Sequence, residues 1–305
     1  MFDSHPGHYQ SLDRKLYNHF EIIWMKKLKK LLIEQALPIF LTFLTFLVLA
    51  TLLYGLLLIL DSLHLGGPII LDFRRREVLF GIIVYLKTAI DFAIFIGNLM
   101  HTNPGWKKRV AIELGTAIGN GLGTFLILIL WTVFKAIPIL MIIMIFIAAV
   151  ILLRMAQESF EEFLKQRQSF IKLKMPVSLL QDQLNFVNKI FRPILRFFVP
   201  NLNLTKSKKL SFVNLVVFSF TIPFVLGLDD FAGYIPLFTL VNVFGFSIGI
   251  LLGHMLLTIG LFAFPKKTVE VVKHPLVLIV GGLAFIGLGI YGFYESAKIL
   301  LSLFH

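Results

Sequence analysis

Long apolar runs alternate with short polar segments along most of the chain. Each run is close to the ~20 residues that an α-helix needs to cross the hydrocarbon core of a membrane. The pattern therefore predicts an all-α membrane protein with about seven transmembrane helices. The predicted spans are 37–60, 78–100, 110–134, 136–155, 211–238, 242–264 and 275–295.

The composition supports this class. Of the 305 residues, 57% are hydrophobic and 15% are charged, and the mean hydropathy is +0.86. An ordinary soluble domain is ~45–50% apolar and ~25% charged, so a soluble enzyme and a disordered chain are both excluded. The chain has no cysteine, which excludes disulfides and thiolate ligands. Any bound metal would take oxygen or imidazole ligands, which favours harder cations.

Two polar segments interrupt the apolar pattern. Residues 1–36 form a predicted amphipathic cytoplasmic segment, in which Leu16–Gln35 is expected to lie on the membrane surface. Residues 157–209 form a predicted basic cytoplasmic linker. Helical cores at Phe160–Phe170 and Leu179–Phe198 predict that this linker is a hairpin lying on the membrane surface.

The basic residues predict the orientation. The net charge is +12, and lysines and arginines concentrate in the segments that lie inside when the N-terminus is cytoplasmic. We therefore expect a multi-pass protein of the inner cell membrane, with no nucleic-acid partner. In this predicted topology, Arg74–Arg76 instead fall on the outside of the membrane. Either the first span is atypical or these arginines lie on a helix buried in protein.

Spans two to four resemble spans five to seven, in the same order. Both units contain Asp-Phe-Ala, a glycine ladder, a proline that opens the last span, and Glu-Ser near its end. Three spans are an odd number, so the second unit is predicted to be inserted upside down. Inverted repeats are typical of secondary transporters. The predicted parts are 37–62 (extra span), 78–156 (repeat one) and 210–300 (repeat two).

Two aspartates are the first candidate site. Asp91 lies nine residues before Met100, which is ~14 Å along a helix and close to the membrane midplane. Asp230 occupies the matching position in the second unit. Buried charges in spanning helices usually face the bundle interior and mark ion pathways. Paired carboxylates suit a divalent cation, a proton, or an exchange of the two.

Other polar residues lie near the two aspartates. Asp229 adjoins Asp230 on a different helix face, and Lys87 is one turn before Asp91, where it can pair with it. His254 can relay protons or bind metal, and Asn120 can offer a neutral oxygen. Each also has an ordinary structural interpretation as a hydrogen-bonding group.

The glycines are first a packing device, since a spacing of four places them on one helix face and lets a neighbour approach closely. Close approach also exposes backbone carbonyls that a cation could use. Glu113, near the inner end of its span, is expected to reach the membrane surface. The two ladders are Gly115, Gly119, Gly123 and Gly245, Gly249, Gly253.

These features resemble a known family. The segments A-I-D-F-A (Ala89–Ala93) and L-D-D-F-A (Leu228–Ala232), the glycine-rich next span and Y-E-S (Tyr294–Ser296) are similar to the LysE transporter superfamily. Within this superfamily, the sequence is similar to the aspartate-bearing branches, which are the TerC, CadD and manganese-exporter families. The resemblance covers 78–155 and 211–300, and it implies two inverted three-helix repeats, with Asp91 and Asp230 binding a transported metal. Phenylalanine follows the aspartate where TerC-type motifs have asparagine.

The sequence thus predicts a secondary transporter that exports a divalent cation such as manganese or calcium, and no enzyme activity or cofactor. A proton is the second candidate ion, and a homo-oligomer stays open. An exporter of an amino acid or another small organic solute is the alternative, with Lys87 as the cationic group. A non-transporting membrane scaffold is the second alternative. An aspartyl intramembrane protease is disfavoured, because Gly-Leu-Asp precedes Asp230 where such proteases have Gly-x-Gly.

Overall fold

In the computed structural model, the described residues are 36–64, 68–166, 171–193, 210–225, 234–239 and 241–304. Every regular element within these ranges is a helix, as the apolar pattern predicts. Besides a short 3-10 helix at Ile235–Thr239, the helices are α1 (Ala36–Ser62), α2 (Arg75–Thr88), α3 (Ile90–Thr102), α4 (Trp106–Lys135), α5 (Pro138–Lys165), α6 (Ile171–Ile190), α7 (Phe212–Val225), α8 (Val243–Ala263), α9 (Pro265–Val272) and α10 (Pro275–Ser302).

Five of these helices are long and apolar enough to cross a membrane: α1, α4, α5, α8 and α10. The bent pair of α2 and α3 makes a sixth if it is counted as one span. The chain is therefore an integral, multi-pass membrane protein. The predicted span 211–238 corresponds in part to α7, which has 14 residues and is shorter than a spanning helix. Residues 226–233 lie outside the described part of the chain.

The outer surface of the bundle is apolar. Large hydrophobic side chains point outwards from several helices, including Phe40 and Ile59 of α1 and Val280 of α10. In water such a surface would be unstable, but in a bilayer it faces lipid. Helix α1 lies at the edge of the bundle, since Leu53 and Leu57 on one side are buried while most of its other apolar side chains are exposed.

The helices that follow one another in sequence are not the ones that pack most closely. Helices α5 and α10 pack most extensively on each other, α4 packs on α7, and α8 packs on α2. The first half of the chain thus supplies one partner of each pair, and the second half supplies the other. The two halves are interlocked, and neither half contains its own closest contacts.

The glycine ladders make the α4–α7 and α8–α2 pairs possible. A Cβ atom on Gly115 of α4 would overlap the carbonyl oxygen of Val216 in α7. A Cβ atom on Gly249 of α8 would overlap the carbonyl oxygen of Val78 in α2 and lie 2.9 Å from the Cα atom of Gly81. Backbone therefore contacts backbone at both interfaces, in the way that small residues favour in membranes.

Helix α5 continues well past the predicted end of its span at residue 155, because its polar end still buries aromatic side chains. Phe160 and Phe163 are fully buried, and Phe160 lies where a side chain on Gly282 of α10 would stand. Helix α6 runs back along this extension, with Asn188 donating to Gln157 and Lys174 Nζ donating to the carbonyl of Gln166 at 2.9 Å. The first part of the predicted core Phe160–Phe170, up to Lys165, is therefore the end of α5, and residues 167–170 lie outside the described part of the chain.

Arg74–Arg76 lie at the start of α2 and are exposed. Arg74 pairs with Asp72, with 3.2 Å between the guanidinium nitrogen and the carboxylate oxygen. The interpretation that these arginines are buried in protein is therefore wrong. The predicted surface helix Leu16–Gln35 lies outside the described residues.

Candidate functional site

The candidate site is built around a break between α2 and α3. The two helices meet at Ala89 and bend by 64° there. Ala89 has φ −78° and ψ 25°, which is outside the helical range for ψ. No proline or glycine causes the break. The hydroxyl of Thr88 instead donates to the carbonyl of Tyr85 at 3.1 Å, the kind of side-chain bond to the preceding turn that bends helices.

A buried tyrosine–histidine pair lies one turn before the break. The Tyr85 hydroxyl is 2.8 Å from Nδ1 of His254 in α8, and the two rings meet edge to face. Both side chains are buried. Gly253 allows this contact, because a Cβ atom there would lie 2.9 Å from the Tyr85 ring. The helix break is therefore joined to the glycine face of α8 by a polar contact.

A second polar contact joins the break to the segment before the 3-10 helix. The Thr88 hydroxyl lies 3.1 Å from the hydroxyl of Tyr234, and both residues are buried. Side chains from α2, α8 and the start of the 3-10 helix thus converge within one buried region. Sequence reasoning missed Tyr85, Thr88 and Tyr234, because a single hydroxyl in an apolar run gives no signal by itself.

Helix α8 carries a line of buried polar side chains. Ser247, His254 and Thr258 are spaced seven and four residues apart, which places them on one helix face. Ser247 Oγ, His254 Nε2 and Thr258 Oγ1 are buried and have no hydrogen-bond partner among the described residues. Buried polar atoms are normally paired, so three unpaired atoms on one face favour water or an ion beside them.

The aspartates are placed only in part. Asp91 is the second residue of α3, directly after the break, and its side chain is outside what the structure describes. Asp229 and Asp230 belong to 226–233, which is not described. In the sequence, Asp230 is four residues before Tyr234, and Asp91 is three residues after Thr88. The contact between Thr88 and Tyr234 therefore joins the end of α2 to the residue before the 3-10 helix.

Lys87 is buried near the break and extends towards α10. Its aliphatic stem occupies the space where Gly281 would carry a side chain, and its Nζ atom lies 5.9 Å from the ring centre of Phe285. Asn120 is buried in α4, with Nδ2 unpaired among the described residues.

The position of the Glu113 side chain contradicts the prediction from the sequence. The sequence predicts that its side chain reaches the membrane surface, but the structure buries it completely between α1 and α4. The Thr45 hydroxyl of α1 donates to Oε1 at 3.0 Å, and Oε2 has no partner among the described residues. Sequence reasoning missed this site because the position of Glu113 along α4 does not show that α1 covers it.

The described part of the chain contains no group of three histidine, cysteine, aspartate or glutamate side chains that could hold a metal ion. No family model, curated protein or solved structure matches this chain. The functional conclusion therefore depends on the chemistry and geometry of the residues themselves.

We expect Tyr85→Phe to destabilise the protein, because it removes the hydroxyl that faces Nδ1 of His254. A lost hydrogen bond of this kind costs about 1 kcal/mol in a membrane interior. Thermal unfolding in detergent is the measurement, with Tyr294→Phe as the matched control, since Tyr294 is exposed. Equal midpoints for the two variants would show that the Tyr85–His254 contact contributes nothing.

Proposed function

We propose that this protein is a secondary transporter that exports a divalent cation, of the manganese or calcium type, with Asp91 and Asp230 as its ligands. The observation that carries the proposal is the bend at Ala89. A helix that is interrupted inside a membrane leaves backbone groups free to bind ions, and secondary transporters use such discontinuous helices to form their sites. Here the interruption directly precedes an aspartate.

The arrangement of the helices supports the proposal. The pairs α4–α7 and α8–α2 correspond to each other when the two proposed repeats are exchanged, which supports a pair of inverted three-helix repeats. The pair α5 and α10 would then consist of matching helices from the two repeats. In such folds the substrate lies near the midplane at the interface between repeats, and the halves move against each other. The proposed seventh span is 211–238, of which α7 and most of the 3-10 helix are described.

The polar face of α8 supports an ion pathway. Ser247, His254 and Thr258 extend over eleven residues, which corresponds to ~16 Å along a helix. This is about half of the ~30 Å hydrocarbon core. Because His254 also contacts Tyr85, the polar face meets the helix break. An ion would move along this face and bind at the aspartates.

The proposed family is the aspartate-bearing branch of the LysE superfamily, on the motifs at Ala89–Ala93, Leu228–Ala232 and Tyr294–Ser296. The proposed location is the inner cell membrane with a cytoplasmic N-terminus, in agreement with the distribution of basic residues. Protons or the membrane potential would drive export.

A second candidate is export of a small organic acid or amino acid, and buried Lys87 favours it. A lysine in a transmembrane site can bind a carboxylate, and the N-terminal end of α3 adds a positive dipole nearby. Under this candidate, Lys87→Met would reduce flux more than a change of either aspartate.

Flux into and out of proteoliposomes tests both candidates. The panel contains manganese, calcium, cadmium and a set of radiolabelled amino acids, and protein-free liposomes give the leak rate. Flux of a divalent cation above the leak rate is the expected result. Flux of an amino acid alone would select the second candidate, and no flux from folded, inserted protein would leave the scaffold interpretation.

A further inference from the structure

The buried carboxyl group of Glu113 lies between α1 and α4, apart from the break at Ala89. The side chain is fully buried, and its described hydrogen-bond partners are two neutral hydroxyls of α1, those of Thr45 and Thr42. Its Oε2 atom has no partner among the described residues. Among the described residues, no lysine, arginine or histidine forms an ion pair with it. Arg109, four residues earlier on the same helix face, donates to the carbonyl of Phe262 at 3.3 Å.

An ionised carboxylate in this position would be unfavourable. A buried charge needs a partner charge or several donors, and without them it is neutralised by taking up a proton. Helix α1 offers only the neutral hydroxyls of Thr42 and Thr45 at this level. A protonated carboxyl group removes the charge and fits the apolar surroundings.

A line of polar groups leads from Glu113 towards one end of α1. Thr45 Oγ1 lies 3.0 Å from both Glu113 Oε1 and the carbonyl of Thr42, and Thr42 Oγ1 donates to the carbonyl of Pro38 at 2.9 Å. Pro38 is two residues after the described start of α1. Pro38 and Thr45 are seven residues apart, so the line covers ~10 Å of α1 and ends close to its described start.

Polar residues also continue inwards from Glu113. Asn120 and Thr124 are buried and follow Glu113 on the same face of α4, at spacings of seven and four residues. This repeats the spacing of the polar face on α8. Glu113 thus lies between a hydroxyl line that runs to the membrane edge and a polar face that runs towards the centre.

We propose that Glu113 is a proton-binding site, held as a neutral carboxylic acid at the α1–α4 interface, and that it carries the proton exchanged during transport. The inference that Glu113 binds a proton depends on the burial of its carboxyl group and on the Oε2 atom, which has no partner among the described residues. The coupling part rests on the proposed transport function. The proton would reach Glu113 from the end of α1 at which Thr42 and Thr45 lie; these two hydroxyls donate to backbone carbonyls and do not themselves pass a proton along.

Dicyclohexylcarbodiimide tests proton binding without any transport measurement, because this lipid-soluble reagent reacts with protonated carboxyl groups in apolar surroundings. Full-length protein in liposomes is treated with the reagent at several pH values, and the peptides are mapped by mass spectrometry. We expect an adduct at Glu113 that decreases at high pH, and no adduct at Glu161, whose side chain is 46% exposed. Glu113→Gln should remove the adduct.

An unlabelled Glu113 in the folded protein, together with labelling of the same peptide after denaturation at low pH, would overturn the proposal. Protection of Glu113 by sodium or potassium alone would also overturn it, because a metal ion would then occupy the carboxylate. Both results come from the unmodified protein, so they do not depend on whether Glu113→Gln folds.

The coupling role is tested separately in the proteoliposomes, with a trapped pH-sensitive dye. Glu113→Gln is expected to reduce cation-driven proton movement to the leak rate of protein-free liposomes, while exchange of the cation down its own gradient continues. Thr221→Val, on the exposed face of α7, is the control. Proton movement equal to that of the unmodified protein would overturn the coupling role. Absence of any cation flux in the unmodified protein would instead count against the proposed function.

Discussion

Divalent-cation flux is expected to decrease at least about a hundredfold when Asp91 or Asp230 is changed to asparagine. Removing one partner of a buried charge pair costs about 2–5 kcal/mol, and ~3 kcal/mol corresponds to roughly two powers of ten in affinity. Asparagine keeps the size of the side chain and one oxygen atom, so the loss of charge is the main change. The measurement is the initial rate of flux in proteoliposomes at matched protein content.

The control for this prediction is Asp182→Asn. Asp182 is exposed on α6. Its substitution therefore makes the same chemical change away from the helix break. It should leave flux unchanged. Each aspartate variant must also elute as a single species and unfold near the temperature of the unmodified protein. Folded variants that transport at the normal rate would overturn the assignment of Asp91 and Asp230 as ligands.

The second large effect is expected at Gly249. A methyl group there would overlap the carbonyl oxygen of Val78 and approach the Cα atom of Gly81 at 2.9 Å. Both atoms belong to the backbone of α2, so relief requires the helices to separate. In a free helix, alanine is favoured over glycine by ~1 kcal/mol, but overpacking costs about 1–3 kcal/mol and sometimes more. We expect Gly249→Ala to destabilise the protein by about 3 kcal/mol despite its better helix propensity.

The matched control is Gly287→Ala in α10. A Cβ atom at Gly287 has no atom within 4 Å, so only the helix propensity changes. This variant should be neutral or more stable by up to ~1 kcal/mol. Thermal unfolding in detergent compares the two variants. A 1 kcal/mol change moves the midpoint by roughly 2–4 °C in a protein of 150–250 residues, and the shift is no larger in this longer chain. If both variants were stabilised equally, the α2–α8 contact would not exist in solution.

The glycine faces show how far the sequence predicts this fold. A spacing of four places Gly245, Gly249 and Gly253 on one face of α8, and the structure packs that face closely against α2. The spacing does not indicate which helix approaches, because any backbone could use the same groove. The exchange of partners between the halves therefore appears only in three dimensions.

The helix break and the length of α5 could not be predicted from the sequence, for different reasons. A break is expected at proline or glycine, but here a threonine hydroxyl accompanies the bend, and threonine is common in unbroken spans. The sequence predicts that this span ends at residue 155, where hydrophobicity decreases. The helix continues because Phe160 and Phe163 pack against other parts of the protein rather than against lipid.

Glu113 illustrates the same limit for the candidate sites. Its distance from the start of α4 is compatible with a side chain that reaches the headgroups, and the sequence contains no sign that α1 lies over it. His254 was recognised because an ionisable group in a long apolar run is conspicuous. Its partner Tyr85 was not, because tyrosine is an ordinary residue in such runs.

The interlocked pairs also determine the order in which the newly made chain can assemble. Helix α4 is complete at Lys135, but its partner α7 starts at Phe212, nearly eighty residues later. At about 5–20 residues per second, ribosomal synthesis takes roughly 4–15 s to cover that interval. Throughout this time the glycine face of α4 has no partner from its own chain. Helix α2 waits still longer for α8, so the first half must be retained in the bilayer, by the insertion machinery or by lipid, until the second half arrives.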